Sequence, residues 1–217
     1  LKRPYNKVII GGALTSMLYK DWPGCEFVDL IAVGYGEYLV PALAKWIQSD
    51  YQELAVPPGG RVEEKAGTKI IHSGLPENKN LDHLLAPDWN LAREYSGKDL
   101  TMVSYESVRG CPYRCAFCNY PFLFDDNKFR YKSAQQIAND WEQLVKDGAE
   151  YITCLDSLFT MPKRRLIELC NELIDREIQV KWICYARATD LRDLEVCELM
   201  KRAGCHQVQI GLESGSQ

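Results

Sequence analysis

No apolar run in this 217-residue chain approaches the ~20 residues that span a bilayer. The opening LKRPYNKVII lacks the pattern of a secretory signal peptide. Neither sign of charge dominates. There are 26 Lys and Arg against 30 Asp and Glu, a formal net charge of −4, which removes the reason to expect nucleic acid or an anionic membrane as partner. Histidine is scarce: His72, His83 and His206 are dispersed, and each reads as a surface or packing residue rather than a ligand. Only Cys25 precedes residue 111 among the cysteines. The chain begins with Leu instead of Met and is read as a piece of a longer protein.

What is present suffices for a sizeable core in one or two domains, since 46% of residues are hydrophobic and 26% charged. Nine cysteines is an odd number, and six of them (Cys25, Cys154, Cys170, Cys184, Cys197, Cys205) are scattered, mostly in apolar segments, where a thiol acts as a small hydrophobe. A secreted disulfide scaffold is shorter and richer in loops, so the reducing cytosol is the expected compartment.

NKVIIGG and FVDLIAVG read as buried strands, and YGEYLVPALAKWIQ as a helix with Leu39, Leu43 and Trp46 at helical spacing. This is a fragment of a parallel α/β layer. Between residues 50 and 98, Pro-Pro and Gly-Gly punctuation predicts a small hairpin and then an extended linker, with a domain boundary near residue 98. The expected organisation is 1–56, 57–98 (hairpin and linker) and 99–217.

From residue 99 strands and helices alternate. LTMVSYESV is the first strand. Ser133 caps a helix carrying Ile137, Trp141, Leu144 and Val145 on one face, and Gly148 stops it. EYITCLDS follows, then a helix entered through Thr160 and Pro162. VKWICYAR is the third strand, Asp190 is expected to cap the next helix, and HQVQIGLES is the fourth strand. Such alternation demands a parallel sheet with right-handed crossovers. Its repetition without a returning hairpin suggests barrel winding, with chemistry at the C-terminal strand ends.

SVRGCPYRCAFCNYP places Cys111, Cys115 and Cys118 in one loop, expected directly after the first strand. Structural zinc prefers four ligands in two separated pairs, and no second pair follows. A ferredoxin run needs further close cysteines, yet none occurs before Cys154. A disulfide would leave an odd thiol. Three thiolates suit a cubane iron–sulfur cluster with one iron left open. Gly110 and Pro112 shape the loop, while Arg109 and Arg114 bring positive charge.

Cys-X3-Cys-X2-Cys after the first strand of an α/β barrel, with Phe117 before the last Cys, resembles the radical S-adenosylmethionine (SAM) superfamily. The resemblance implies a [4Fe–4S] cluster on Cys111, Cys115 and Cys118, SAM on its open iron, and Phe117 against the adenine. It also implies a one-electron donor such as flavodoxin or ferredoxin, and a small-molecule or natural-product substrate. GCHQVQIGLESGS resembles a cofactor-binding segment of that family, which makes Glu213 and Ser214 candidates. Asp156 and Phe159 match an Asp-X2-Phe pattern of the members with cobalamin-type front domains. Asp156 is the candidate for the SAM amino group, with a helix-cap or loop-organising role as the alternative. Arg187 is the candidate for the SAM carboxylate, with a structural salt bridge as the alternative. Tyr185 reads as a packed core tyrosine, lining the barrel lumen being the alternative. Alternation puts Gln207 and Gln209 on a polar face and Val208, Ile210 and Leu212 on a face expected to meet the helices.

The front segment resembles the last strands of a Rossmann-like cobalamin-binding domain through Gly11, Gly12, Gly34, Gly36 and Glu37. Leu14 stands where such domains often have His, and Tyr35 where Glu is common. The implied fold is α/β: a partial (βα) TIM-type barrel, four of six units, after the C-terminal part of that Rossmann-like domain. The implied activity is reductive SAM cleavage to a 5′-deoxyadenosyl radical, with cobalamin as a further cofactor and methyl transfer or cyclisation as the outcome. A methylthiotransferase-like enzyme and a non-catalytic metal-binding module are the rivals.

Overall fold

Short apolar runs, such as those before Gly11 and Gly34, become parallel strands. The computed structural model describes residues 6–74, 80–120 and 128–215. The chain forms two compact units, Leu1–Glu77 with Pro112–Asn127, and Asn78–Cys111 with Lys128–Gln217.

The first unit contains β1 (Ile9–Gly11), α1 (Ala13–Leu18), β2 (Leu30–Val33), α2 (Gly36–Gln48), β3 (Arg61–Lys65) and β4 (Thr68–His72). Sheet order is β1-β2-β4-β3, with the first three strands parallel and β3 antiparallel to β4. β2 is buried on both faces, so its alternate residues feed two cores. Leu30 and Ala32 pack with Ile71 against Leu39 and Trp46 of α2, while Ile31 and Val33 pack with Ile70 and Tyr19. The expected hairpin is β3–β4; its turn residues Ala66 and Gly67 have φ of 48° and 76°, as a tight two-residue hairpin turn requires. β3, RVEEK, is exposed along its whole length, and its charges protect a sheet edge from pairing with other chains.

The second unit opens with α3 (Trp89–Ser96), where the sequence predicts extended chain. None of its side chains is buried, but Asp88 caps it through the Asn90 amide at 3.0 Å, and the Trp89 indole donates to the Ser104 carbonyl at 3.2 Å. Then come β5 (Met102–Tyr105), β6 (Val108–Arg109), β7 (Arg130–Tyr131), α4 (Ala134–Lys146), β8 (Tyr151–Cys154), α5 (Lys163–Asp175), β9 (Lys181–Ala186), α6 (Leu194–Arg202) and β10 (Cys205–Ile210).

The main sheet runs β10-β9-β8-β5, all parallel. Its helix-covered face buries Val103, Tyr105, Ile152, Cys154, Trp182 and Cys184. Trp141, Phe159 and Trp182 meet at the centre of this core, with ring centroids 5.4–6.2 Å apart. Ser133 caps α4 as expected, accepting from the Gln136 amide at 3.1 Å.

Two local expectations are corrected. Asp193, rather than Asp190, caps α6, accepting from the Glu195 and Val196 amides. Asp190 lies in a 3-10 turn, Ala188–Leu191, and accepts from the Thr160 hydroxyl at 2.7 Å, so its carboxylate is already engaged before α6 begins. On β10, Val208 packs against the core, but Ile210 is 40% and Leu212 82% exposed. Ile210 is the last residue of β10, an edge strand of this sheet, and Leu212 lies two residues beyond it.

Candidate functional site

The first strand of the second unit does not run straight into the cysteine loop. β5 stops at Tyr105, and the chain turns at Glu106–Ser107 before entering β6. β6 pairs antiparallel with β7, Val108 opposite Tyr131 and Arg109 opposite Arg130, so a short ladder closes the base of the loop. Cys111 therefore follows β6 and Gly110, a correction to its expected place directly after the first strand.

Asp156 is what breaks the strand. Its Oδ1 accepts from the amides of Ser107 at 2.6 Å and Val108 at 2.8 Å, and its Oδ2 accepts from the Ser107 hydroxyl. The side chain is 1% exposed because position 156 shares the parity of Ile152 and Cys154, the buried series of this strand. Burial pushes its carboxyl up to about 6, against the pull of the Ser107 hydrogen bonds and the Arg165 charge.

Arg165, on α5 and also buried, donates from Nη2 to the Phe159 carbonyl at 2.7 Å. Its Nη1 reaches the Ser107 hydroxyl at 3.2 Å and the Lys132 carbonyl at 3.4 Å. The guanidinium lies over the rings of Tyr131 (5.3 Å) and Phe159 (5.5 Å). Gly110 has φ +80°, and a Cβ there would collide with the Lys128 carbonyl; its own carbonyl accepts from the Ser157 hydroxyl at 2.7 Å. Arg109, expected to bring charge to the loop, is paired with Glu106 at 2.9 Å.

Cys111 and Cys118 are half-buried and Cys115 is exposed, and no disulfide joins any of the nine cysteines. The Cys118 amide donates to the Cys115 carbonyl at 3.1 Å, closing a tight turn between these two residues. Phe117 is 69% exposed. Among the described residues, no group of three or more His, Cys, Asp or Glu side chains is arranged to hold a metal ion. The fit to an iron–sulfur cluster rests on the donor set: three water-accessible, disulfide-free thiols within eight residues, the ligand type that such clusters take. Cys154, Cys170 and Cys184 differ in kind. Burial drives the Cys154 thiol up and the Cys170 thiol up to about 12, and Cys184 is raised by its hydrogen bond with Cys205 and by burial. Such thiols are inert.

Arg187 is exposed at the start of the 3-10 turn. Tyr185 is 42% exposed, not the packed core residue expected, because position 185 falls on the helix-free face. Register sets Gln207 beside Ile183 and Gln209 beside Tyr185 on that face. Glu213 is exposed with φ 58°, and its carboxylate folds back over Gly211, where a Cβ would strike it. Ser214 is exposed, its amide donating to the Leu212 carbonyl at 2.6 Å.

In the first unit, Gly11–Gly12 and Gly34–Gly36 sit at the C-terminal ends of β1 and β2. Gly12 and Gly36 have open space where a Cβ would stand, so their backbone is accessible to a bulky ligand, which fits a corrinoid. Gly34, φ +111°, is packed against Ser73, whose hydroxyl accepts from the Tyr35 amide at 2.9 Å and donates to the Gly74 carbonyl at 2.9 Å. Ser73 was not singled out from the sequence, and no spacing signal marks it. Glu37 lies in the first turn of α2, Leu14 is 68% exposed, and Tyr35 is buried. His72 is buried against Glu63 at 2.8 Å and the edge of Tyr19, a packing role as expected.

In fold, the chain matches the solved cobalamin-dependent SAM radical enzyme OxsB, with aqua-cobalamin and SAM bound, at a TM-score of 0.70 and 22% identity over 96% of this chain and 31% of that one. It is 30% identical to the anaerobic magnesium-protoporphyrin IX monomethyl ester cyclase of Rubrivivax gelatinosus, covering 96% of this chain and 39% of the relative. It is 27% identical to the bacteriochlorophyllide d C-12(1)-methyltransferase of Chlorobaculum tepidum, covering 95% and 42%. The chain thus spans well under half the length of these relatives. The sequence profile of the radical SAM superfamily matches residues 105–217, just over half of the chain and all four strands of the main parallel sheet save the first three residues of β5. By that match the chain belongs to the radical SAM superfamily.

Proposed function

We propose that the protein containing this chain is a cobalamin-dependent radical SAM enzyme that transfers a methyl group to, or closes a ring on, a small-molecule or natural-product substrate. A [4Fe–4S] cluster, were it bound at the three cysteines, would supply the electron for reductive cleavage of SAM. Cobalamin, when bound, supplies a methyl carrier. The rest is the task of this chain's residues.

Cys111, Cys115 and Cys118 hold the cluster as thiolates. Phe117, exposed and adjacent to the last ligand, offers its ring to the adenine. Arg187 gives a positive charge for the SAM carboxylate at the C-terminal end of β9. Glu213 and Ser214, beyond the end of β10, offer acceptors and a hydroxyl to the ribose or methionine part. Gly11, Gly12, Gly34, Gly36 and Glu37 line the cobalamin side of the first unit. Accessible cysteines and three buried inert ones fit a reducing cytoplasm, with flavodoxin or ferredoxin as the electron donor.

The observation that carries this reading is the three-cysteine donor set, located just after β6 in a chain of this superfamily. The test is anaerobic reconstitution of the full-length protein with iron and sulfide, followed by SAM titration. A reduced-cluster electron paramagnetic resonance (EPR) signal that changes on SAM addition, and is lost with Cys115→Ala, is expected. A colourless, zinc-loaded protein would sink the proposal.

A further inference from the structure

We infer that Asp156, Ser107 and Arg165 are the positioning residues of the cysteine loop: they fix its entry and exit, so that the loop meets SAM in one geometry. This rests on the proposed function and goes beyond it, since Asp156 moves from a cofactor contact to a residue that acts through the backbone.

The loop enters through Ser107–Gly110 and leaves through Lys128–Lys132. At the entry, one carboxylate takes two consecutive amides and a hydroxyl. Consecutive N–H groups cannot both point to one acceptor in a regular strand, where they alternate in direction. Asp156 therefore forces the chain out of the main sheet at this point. At the exit, the Lys132 amide donates to the Ser107 carbonyl at 2.9 Å, joining the two ends directly. Arg165 touches both ends at once, the Ser107 hydroxyl on one side and the Lys132 carbonyl on the other.

Further along, Gly110 is locked against the Lys128 backbone and tied to Ser157, the residue after Asp156. Asp156 and Ser157 thus hold positions 107, 108 and 110 from the end of a single strand. Asp82 adds an outer tie by accepting from the Ser133 amide at 2.6 Å. All the charged and hydroxyl side chains of the inner network are buried save Ser157, which is half-buried. Asp156, Ser107 and Arg165 each make at least two hydrogen bonds in this buried network, with Arg165 Nε left without a partner among the described residues, and these bonds give the loop a fixed base.

The test compares full-length variants after anaerobic reconstitution, reading iron content and the SAM concentration that half-saturates the EPR change. Asp156→Ala removes three anchors and is expected to need at least tenfold more SAM. Asp156→Asn, which can accept from both amides and donate to the Ser107 hydroxyl, is expected to restore the value to within about twofold. Ser107→Ala, a milder change that decides the matter should Asp156→Ala not fold, is expected to shift it several-fold. Leu169→Ala, a core truncation on α5 outside the network, is expected to lower stability and leave the half-saturation unchanged. Wild-type half-saturation in the folded network variants overturns the inference. So does failure of Asp156→Asn to rescue, or a Leu169→Ala shift as large as that of Asp156→Ala. If the wild-type protein itself takes up no iron, the proposed function falls and takes the inference with it.

Discussion

Asp156 shows how one buried carboxylate can tie a loop and still weaken the fold that holds it. Its carboxyl is raised from an ordinary value of 3.8 to about 6, with burial as the largest cause. A raised carboxyl binds its proton more tightly in the folded state, so its contribution to stability is full below pH 4 and declines as pH rises to about 6. A shift of this size corresponds to roughly 3 kcal/mol. Asp156→Asn abolishes the titration, so its stability relative to wild type is expected to improve between pH 4 and pH 7. Urea denaturation at several pH values measures this; a constant difference would show that Asp156 does not titrate there. At the same scale, Cys170→Ala is expected to leave iron uptake unchanged, because that thiol lies in the core and was readable from the start as a small hydrophobe.

Among the elements, the helices of the second unit carry their boundaries in the sequence. Ser133→Ala is expected to cost about 1 kcal/mol through loss of the α4 cap, seen as a lower urea midpoint. Gly204, between α6 and β10, has φ +92°, and a Cβ there would strike the Val180 carbonyl. Gly204→Ala is accordingly expected to cost more than ~1 kcal/mol, a larger penalty than alanine incurs at an unstrained site. Other boundaries were hidden. α3, at eight residues, is too short to establish a helical period and buries no side chain, and it is held by Asp88 and a tryptophan whose indole reaches across to Ser104. The two-residue strands β6 and β7 are set by pairing across a loop, which no local pattern can announce.

Across the whole molecule, each unit has its own apolar core, and none of the three cysteines of the motif belongs to it. Stripping iron with a chelator is therefore expected to leave helix and strand content intact by circular dichroism; loss of the far-ultraviolet signal would contradict this. The second unit also buries a charge pair, Lys132 with Asp140 at 2.7 Å, shared with Tyr105 and Gln136. Lys132→Met leaves Asp140 without its cation and is expected to destabilise by about 3–5 kcal/mol, read from the urea midpoint.

The α/β alternation, the parallel sheets and the cysteine motif are legible in the residues alone, because hydrophobic period, glycine stops and ligand spacing are local properties of the chain. The sequence also separates the three loop cysteines from the scattered ones. Only the packed fold sets which face each strand residue joins at the ends of the sheet, and so puts Asp156 against the Ser107 and Val108 amides and Tyr185 on the open face. It alone brought Arg165 and Ser107, 58 residues apart, into one network. The physical reason is that a buried polar group takes whatever partner the packed fold brings within reach, and that partner is fixed by topology, not by neighbours in sequence.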